Sequence, residues 1–388
     1  MDAVILAAGE GARLKGWTSD KPKGMMTLGN APILEHIIHG LTASGIQKIN
    51  MVVGYRKNIV MSYFGDGSKY SVKINYIEQP KLSGTLDALQ LGLDGITKDF
   101  ILVPGDNYVS SASFIPLIQS TNSALLAGRA DRWSKWGEIE FIGSKARITF
   151  DNPEAFGRLH FTGIMKLSTE VAESLINAGG RHLGEALQNI ETSVDFDVIN
   201  SEFWHNIVYP WDLIDGNRLA LQNLFLSKSG KIERNVVMKG PISIGSGSVI
   251  CSGSYLEGPI SIGENCIIGP NNFIGNSVSI GDNTRIGAFS EIKDSIIMSD
   301  SVIGSYNSLV GTVVGYGSVT GTNVVANPNN RQVTYLDHTV SLSDRGAMIG
   351  NRCSIGNRAV LAGGSILLEG ATIGEGEVYN ADFQGDTI

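Results

Sequence analysis

Residues suited to phosphate chemistry are concentrated early in the chain. An apolar run, Ala3-Val4-Ile5-Leu6-Ala7, leads through Ala8 into Gly9-Glu10-Gly11-Ala12-Arg13-Leu14 and then Lys21-Pro22-Lys23. Glycines after a strand let backbone N–H groups approach an anion closely. Arg13 and Lys23 add positive charge on long side chains, which together suits a triphosphate. Taken alone, the same residues also describe a surface turn with two solvated cations. Leu14 stands where a dinucleotide fingerprint would place its third glycine, and the second apolar run ends at Gly54-Tyr55-Arg56 without a ribose-binding acid. The glycine-lysine pattern of a P-loop is absent as well. Asp106, just after the apolar run Phe100–Val103, is placed as a Mg²⁺ ligand would be, or as a helix cap.

These residues need a frame. Ala3–Ala7, Ile49–Val53, Ile74–Ile77 and Phe100–Val103 read as strands, the first and last of them buried. Ile33, Leu34, Ile37, Ile38 and Leu41 recur at helical spacing before Gly45, and Thr85–Leu93 reads as a second helix. Strand–helix alternation predicts a Rossmann-like α/β domain with a mostly parallel sheet. Ligands of such sheets bind at the carboxyl ends of the strands, which selects the loop after Leu6 and the Pro104-Gly105-Asp106 turn.

Behind this region the pattern changes. All five tryptophans precede residue 229, whereas 25 of the 48 glycines follow it. Every sixth residue from Ile232 is aliphatic or Met: Met238, Ile244, Ile250, Leu256, Ile262, Ile268, Ile274, Ile280, Ile286, Ile292, Met298. The register slips by one to Ile303 and Leu309, then returns at Ile349, Ile355, Leu361, Leu367 and Ile373. A period of six fits neither a helix nor simple alternation. It fits a chain that turns a corner every six residues and stacks coils of three faces into a parallel β-helix, and the hexapeptide period resembles the left-handed type. The expected organisation is an α/β domain over 1–228 and a β-helix over 229–388. Residues 326–346 break the period as an excursion loop.

Composition limits the partners. The 388 residues carry a net charge of −8 with no long basic run, which argues against nucleic acid as the main partner. No apolar run is long enough to span a membrane, and Met1-Asp2 leads straight into the first apolar run without a basic leader. The three cysteines, Cys251, Cys266 and Cys353, show no C-x-x-C spacing, which suggests a reducing compartment, no zinc site and a cytoplasmic location.

Taken together, Leu6-Ala7-Ala8-Gly9-x-Gly11-x-Arg13, Pro22-Lys23-x-Met25 and Pro32-Ile33-Leu34 resemble the signature of sugar-phosphate nucleotidylyltransferases. With the hexapeptide coil behind it, the whole chain resembles archaeal bifunctional N-acetylglucosamine-1-phosphate uridylyltransferases and long-form glucose-1-phosphate thymidylyltransferases. The resemblance implies Mg²⁺-dependent transfer of a nucleotidyl group from UTP or dTTP to a sugar 1-phosphate, with release of pyrophosphate. It implies that Arg13 neutralises the leaving pyrophosphate and that Lys23 holds the attacking phosphate. Leu6, Ala8, Gly9 and Gly11 would line the nucleotide, and Gln79 with Gly84 and Thr85 would read the pyrimidine. Asp106 and Asn206 would bind the metal, while Gly137, Asp151 and Thr162 would meet the sugar. A homotrimer is the assembly it implies.

Several positions depart from the family pattern. Asp151-Asn152-Pro153 replaces a usual Glu-Lys-Pro and Phe161-Thr162-Gly163 an Asn-Ala-Gly of some members, whereas Trp136-Gly137 resembles the aromatic-Gly pair that lines the sugar. In the coil, Tyr306 occupies the position of the acetyltransferase histidine. A phenol with a pKa near ~10 is a poor base for an amine attacking a thioester. His338, in the excursion, is the only histidine of that half. Two further readings follow: a catalytically weak regulatory or nucleotide-sugar-binding subunit, and a bifunctional enzyme that also acetylates an amino-sugar phosphate from acetyl-CoA.

Overall fold

The computed structural model describes residues 1–129, 137–142, 145–149, 159–190, 194–224, 226–336 and 338–380. The chain forms two compact units. The first comprises residues 1–11, 20–26 and 32–207, and the second 12–19, 27–31 and 208–388. The division therefore falls before the composition change at 229, and two short N-terminal segments join the second unit.

The first unit is built on β1 (Asp2–Ala7), β2 (Lys48–Val53), β3 (Lys73–Glu78), β4 (Phe100–Pro104), β5 (Asn107–Val109), β6 (Ala124–Arg129), β7 (Glu138–Ile142), β8 (Lys145–Thr149), β9 (Leu159–Leu167), β10 (Asp197–Asn200) and β11 (Trp204–Asn206). The main sheet runs β8-β7-β9-β4-β1-β2-β3, with β6 on β9 and β10 on β6. The half that holds β4, β1, β2 and β3 is parallel, as expected for continuous apolar strands. At β9 the sheet turns antiparallel, because β9 opposes β4, β6 and β7. Helix α1 (Ile33–Ala43) buries Ile33, Leu34, Ile37, Ile38 and Leu41, the stripe legible in the sequence. Helix α2 (Lys57–Phe64) follows β2, and α3 (Thr85–Gly92) follows β3.

In the second unit the strands stack into three parallel sheets of eight, eight and seven strands. Ile250 lies over Ile268, and Ile268 over Ile286, so these coils take eighteen residues each. The stacked isoleucines are almost wholly buried, each worth about 1.5–3 kcal/mol on burial. Asn265, Asn271 and Asn283 take left-handed φ of 54°, 56° and 58° at the corners, a conformation Asn accepts more readily than most residues. The register slip comes from coils one residue short, first from Ile280 to Ile297 and again from Ile297 to Val314. Ile280 pairs with Ile297 and Ile286 with Ile303, so Ile297, not Met298, is the inward residue at that corner. Ile232, the first residue of the six-step series, is exposed at the end of the stack.

The excursion is an antiparallel hairpin, Asn329–Tyr335 with His338–Arg345. Tyr335 is buried against Trp211 and Tyr209, and Arg345 pairs with Asp215 at 2.6 Å. Those partners sit on or just before the helix Asp212–Gln222, whose Arg218 binds Asp294 on the coil. The hairpin is thus pinned to its own unit. All three thiols are unpaired, and burial pushes each above the ordinary cysteine value, which makes them poor nucleophiles. Among the described residues no helix is long and apolar enough to cross a membrane.

Candidate active site

Neighbouring strands of the first unit end in a row of candidate residues. Gln79 follows β3, Gly54 follows β2, Ala8 follows β1 and Gly105-Asp106 follow β4. Backbone bonds hold the row together: Gln79 N donates to Val53 O (2.8 Å), Tyr55 N to Ala8 O (3.0 Å) and Gly105 N to Leu6 O (2.9 Å). At the usual strand spacing, β3 and β4 lie about 14 Å apart, room for a ligand with a base at one end and phosphates at the other.

At the β4 end, Lys23 Nζ donates to Asp106 Oδ2 at 2.7 Å, and both side chains are largely buried. Gly24 explains the approach: a Cβ there would meet Leu34 Cγ at 2.8 Å and Gly105 O at 2.9 Å. Gly11 has φ +78°, and a Cβ on it would meet Lys23 Cβ at 2.8 Å. A Cβ on Gly9 would meet nothing within 4 Å, so the loop is open on that side. Asp106 also gains a neighbour from far along the chain. β11 pairs with β5 so that Asn206 faces Asn107, and Ile207 N donates to Asp106 O at 3.3 Å. Both amide atoms of Asn206 are buried without a hydrogen-bond partner among the described residues. A buried polar group left in this state is costly unless a ligand completes it. Asp106 and Asn206 fit a hard cation that takes its remaining ligands from phosphate oxygens, for both side chains carry oxygen donors and paired backbone segments bring them to one strand end. Among the described residues no group of three or more His, Cys, Asp or Glu side chains could hold a metal ion without such help.

At the β3 end, Gln79 is buried, with its Nε2 donating to Gly84 O (3.1 Å) and Asp87 Oδ2 (2.8 Å). Ser83 Oγ donates to the same Asp87 oxygen at 2.6 Å. These bonds, Ser83's first, hold the Asp87 carboxyl below its ordinary pKa. Gly84 has φ +132° and touches Arg181 O so closely that no side chain fits there. Thr85 Oγ1 accepts from Leu183 N at 2.8 Å, so this hydroxyl ties the segment to the helix Leu183–Ile190.

The sugar candidates fare differently. Thr162 is fully buried beneath the site: its hydroxyl donates to Leu126 O at 2.8 Å and its carbonyl accepts from Asn107 Nδ2 at 2.7 Å. It steadies Asn107 beside Asp106 and offers no group outward. Gly137 is buried, with φ +84°, and its carbonyl accepts from Phe161 N at 3.0 Å. Asp151, Asn152, Pro153 and Trp136 lie outside the described residues. Arg13 is exposed on the short turn Ala12–Leu14, a segment of the second unit. Sequence reasoning missed the buried residues Glu138 and His160, which face each other across β7 and β9 next to Gly137. It also missed Asp87, although a carboxylate eight residues after Gln79 and four after Ser83 is a signal that a helix-start argument could have raised.

Residues 2–139 match the nucleotidyl transferase family, and residues 256–345 match the GMPPB C-terminal domain. UTP–glucose-1-phosphate uridylyltransferase AglF of Haloferax volcanii is 43% identical over 230 residues, which cover 55% of this chain and 93% of that protein. The chain belongs to the nucleotidyl transferase family. The bifunctional protein GlmU of Methanococcus maripaludis (strain S2) is 34% identical over 260 residues, 64% of this chain. The match spans about 62% of that relative's own length. A solved Bacillus anthracis structure, assigned as a glucose-1-phosphate thymidylyltransferase, shares the fold with a TM-score of 0.52 at 21% identity, covering 59% of this chain and 98% of that one.

Proposed function

We propose that this nucleotidyl transferase joins a pyrimidine nucleoside triphosphate, UTP or dTTP, to a sugar 1-phosphate and releases pyrophosphate. The observation that carries the reading is the convergence of Lys23, Asp106 and Asn206 at the end of β4 with the open Gly9–Gly11 loop beside them. The names of the similar uridylyltransferase and bifunctional proteins agree with it.

A phosphate oxygen of the sugar attacks the α-phosphorus in line; one P–O bond forms, the bond to the β-phosphate bridge breaks, and pyrophosphate leaves with its electron pair. Lys23 positions and neutralises the attacking phosphate, and Gly9 and Gly11 let backbone N–H groups meet the triphosphate. Arg13, on the strength of the family signature, neutralises the departing pyrophosphate. Asp106 and Asn206 would hold a divalent cation, Mg²⁺ in this reading, which supplies charge neutralisation on the phosphates.

In the coil, Tyr306 is exposed and stacks on Phe289 with ring centroids 5.1 Å apart. A stacked phenol is no replacement for a histidine base, so the coil serves as a scaffold, with a homotrimer as the assembly the resemblance implies. The test is pyrophosphate release with Mg²⁺ from UTP, dTTP, CTP, ATP and GTP, each paired with glucose 1-phosphate, N-acetylglucosamine 1-phosphate or glucosamine 1-phosphate. Sugar-phosphate-dependent release that disappears in Arg13→Ala and Lys23→Ala is expected. Folded protein that releases none from any pair overturns the reading in favour of a binding subunit.

A further inference from the structure

The Gln79 amide is held in one orientation by its neighbours. Both groups that meet its nitrogen, the Asp87 carboxylate and the Gly84 carbonyl, only accept hydrogen bonds, so the NH₂ must face them. Its Oε1 takes no bond from the described residues and is the atom left for a ligand. Asp87 is fixed in turn by Ser83 Oγ at 2.6 Å, and the segment by Arg181 Nε on Ser83 O at 3.3 Å. Turning the amide over would set Oε1 against a carboxylate and a carbonyl, which buried groups do not tolerate.

We propose that Asp87 is a positioning residue for base selection: it commits Gln79 to present an acceptor, and an acceptor selects a base with a hydrogen on its ring nitrogen. Uracil and thymine carry N3–H at the pairing edge. Cytosine N3 and adenine N1 carry a lone pair there, which repels Oε1. The discrimination resides in the Asp87–Gln79 pair and needs no contact between Asp87 and the nucleotide. The inference rests on the nucleotide-binding reading above and deepens it.

The test compares UTP with CTP on the full chain, by calorimetric binding and by kcat/KM with each sugar phosphate. The wild type is expected to favour UTP by a hundredfold or so. In Asp87→Asn the partner can donate or accept, so either orientation of Gln79 is satisfied. The UTP:CTP ratio is expected to fall at least about tenfold, with CTP gaining. Ser83→Ala, which loosens Asp87 without touching Gln79, shifts the ratio the same way by less, and keeps the test open should Asp87→Asn not fold. A packing role would weaken UTP and CTP together and leave the ratio unchanged, which overturns the proposal. Equal affinity for both nucleotides in the wild type also overturns it. Selective binding without turnover overturns the enzyme reading and leaves this one standing, whereas a chain that binds neither nucleotide sinks both.

Discussion

Asp106→Asn tests the centre of the site most directly. The carboxylate sits 2.7 Å from Lys23 Nζ, with side-chain exposures of 12% for the lysine and 17% for the aspartate. Two unit charges at that distance attract by about 6 kcal/mol at an effective dielectric of 20, before desolvation is subtracted. Breaking a buried pair by removing one partner costs about 3–5 kcal/mol. The amide keeps a hydrogen-bond acceptor for Lys23, so the low end, about 3 kcal/mol, is expected. For a unit of this size that lowers Tm by about 6–12 °C in a calorimetric or dichroism scan. Turnover should fall by about 10²–10³ in kcat, because the cation site loses its charged ligand and Lys23 its geometry. The kcat loss should remain after Tm is restored by saturating nucleotide. A variant with wild-type Tm and wild-type kcat would refute the assignment of both residues.

Asn206→Leu separates function from stability: replacing two buried amide atoms that have no partner among the described residues should leave Tm unchanged or higher, while kcat falls and the metal requirement rises in a Mg²⁺ titration. Gly84→Ala forces a Cβ onto Arg181 O at φ +132° and should cost at least about 1–3 kcal/mol, seen as reduced UTP affinity together with a lower denaturation midpoint. Ile274→Ala opens the coil core, where Ile274 is fully buried, and should cost about 2–5 kcal/mol with the UTP:CTP ratio unchanged. Because Asp87 has a depressed carboxyl pKa, its contribution to stability is full above the ordinary Asp value and is lost as pH falls through the lowered one. UTP selectivity should therefore hold from neutral pH down to about pH 4 and decay below it, as followed by calorimetry; a loss near pH 6 would contradict the assignment.

The legibility of this chain varied with the range of the interactions involved. The coil was readable because a six-residue period repeats a single local environment, and the one-residue slip was visible at Ile303 and Leu309. Its cause, a short coil that makes Ile297 the inward residue, is a matter of pairing between coils and leaves no local mark. The parallel strands and α1 were readable from apolar runs and helical spacing. The antiparallel half was not, since β9 crosses between β4 and β6 through long-range pairings with a register shift between Phe161 and Met165. Thr162 illustrates the limit: its position in the motif suggested a sugar contact, but its hydroxyl is bound to Leu126 O inside the sheet. Asp87 was passed over because its role lies in what it does to Gln79.

The row along the sheet edge gives these separate features a common logic. Gln79 and the Lys23–Asp106 pair end strands separated by two others, so their spacing is set by backbone hydrogen bonds, which side-chain substitution hardly changes. In the proposed reading, a base held at Gln79 and phosphates held at Asp106 would be joined by a linker of fixed length, the ribose and its ester. A nucleoside triphosphate meets both ends at once; an inorganic triphosphate or a free base meets only one. Binding should accordingly be strongly non-additive. Uridine and inorganic triphosphate, measured separately, should each bind at least about a hundredfold more weakly than UTP, since the linked ligand loses translational freedom once for both contacts. Triphosphate alone binding as tightly as UTP would place the affinity wholly at the Lys23 end and deprive Gln79 of any share in recognition.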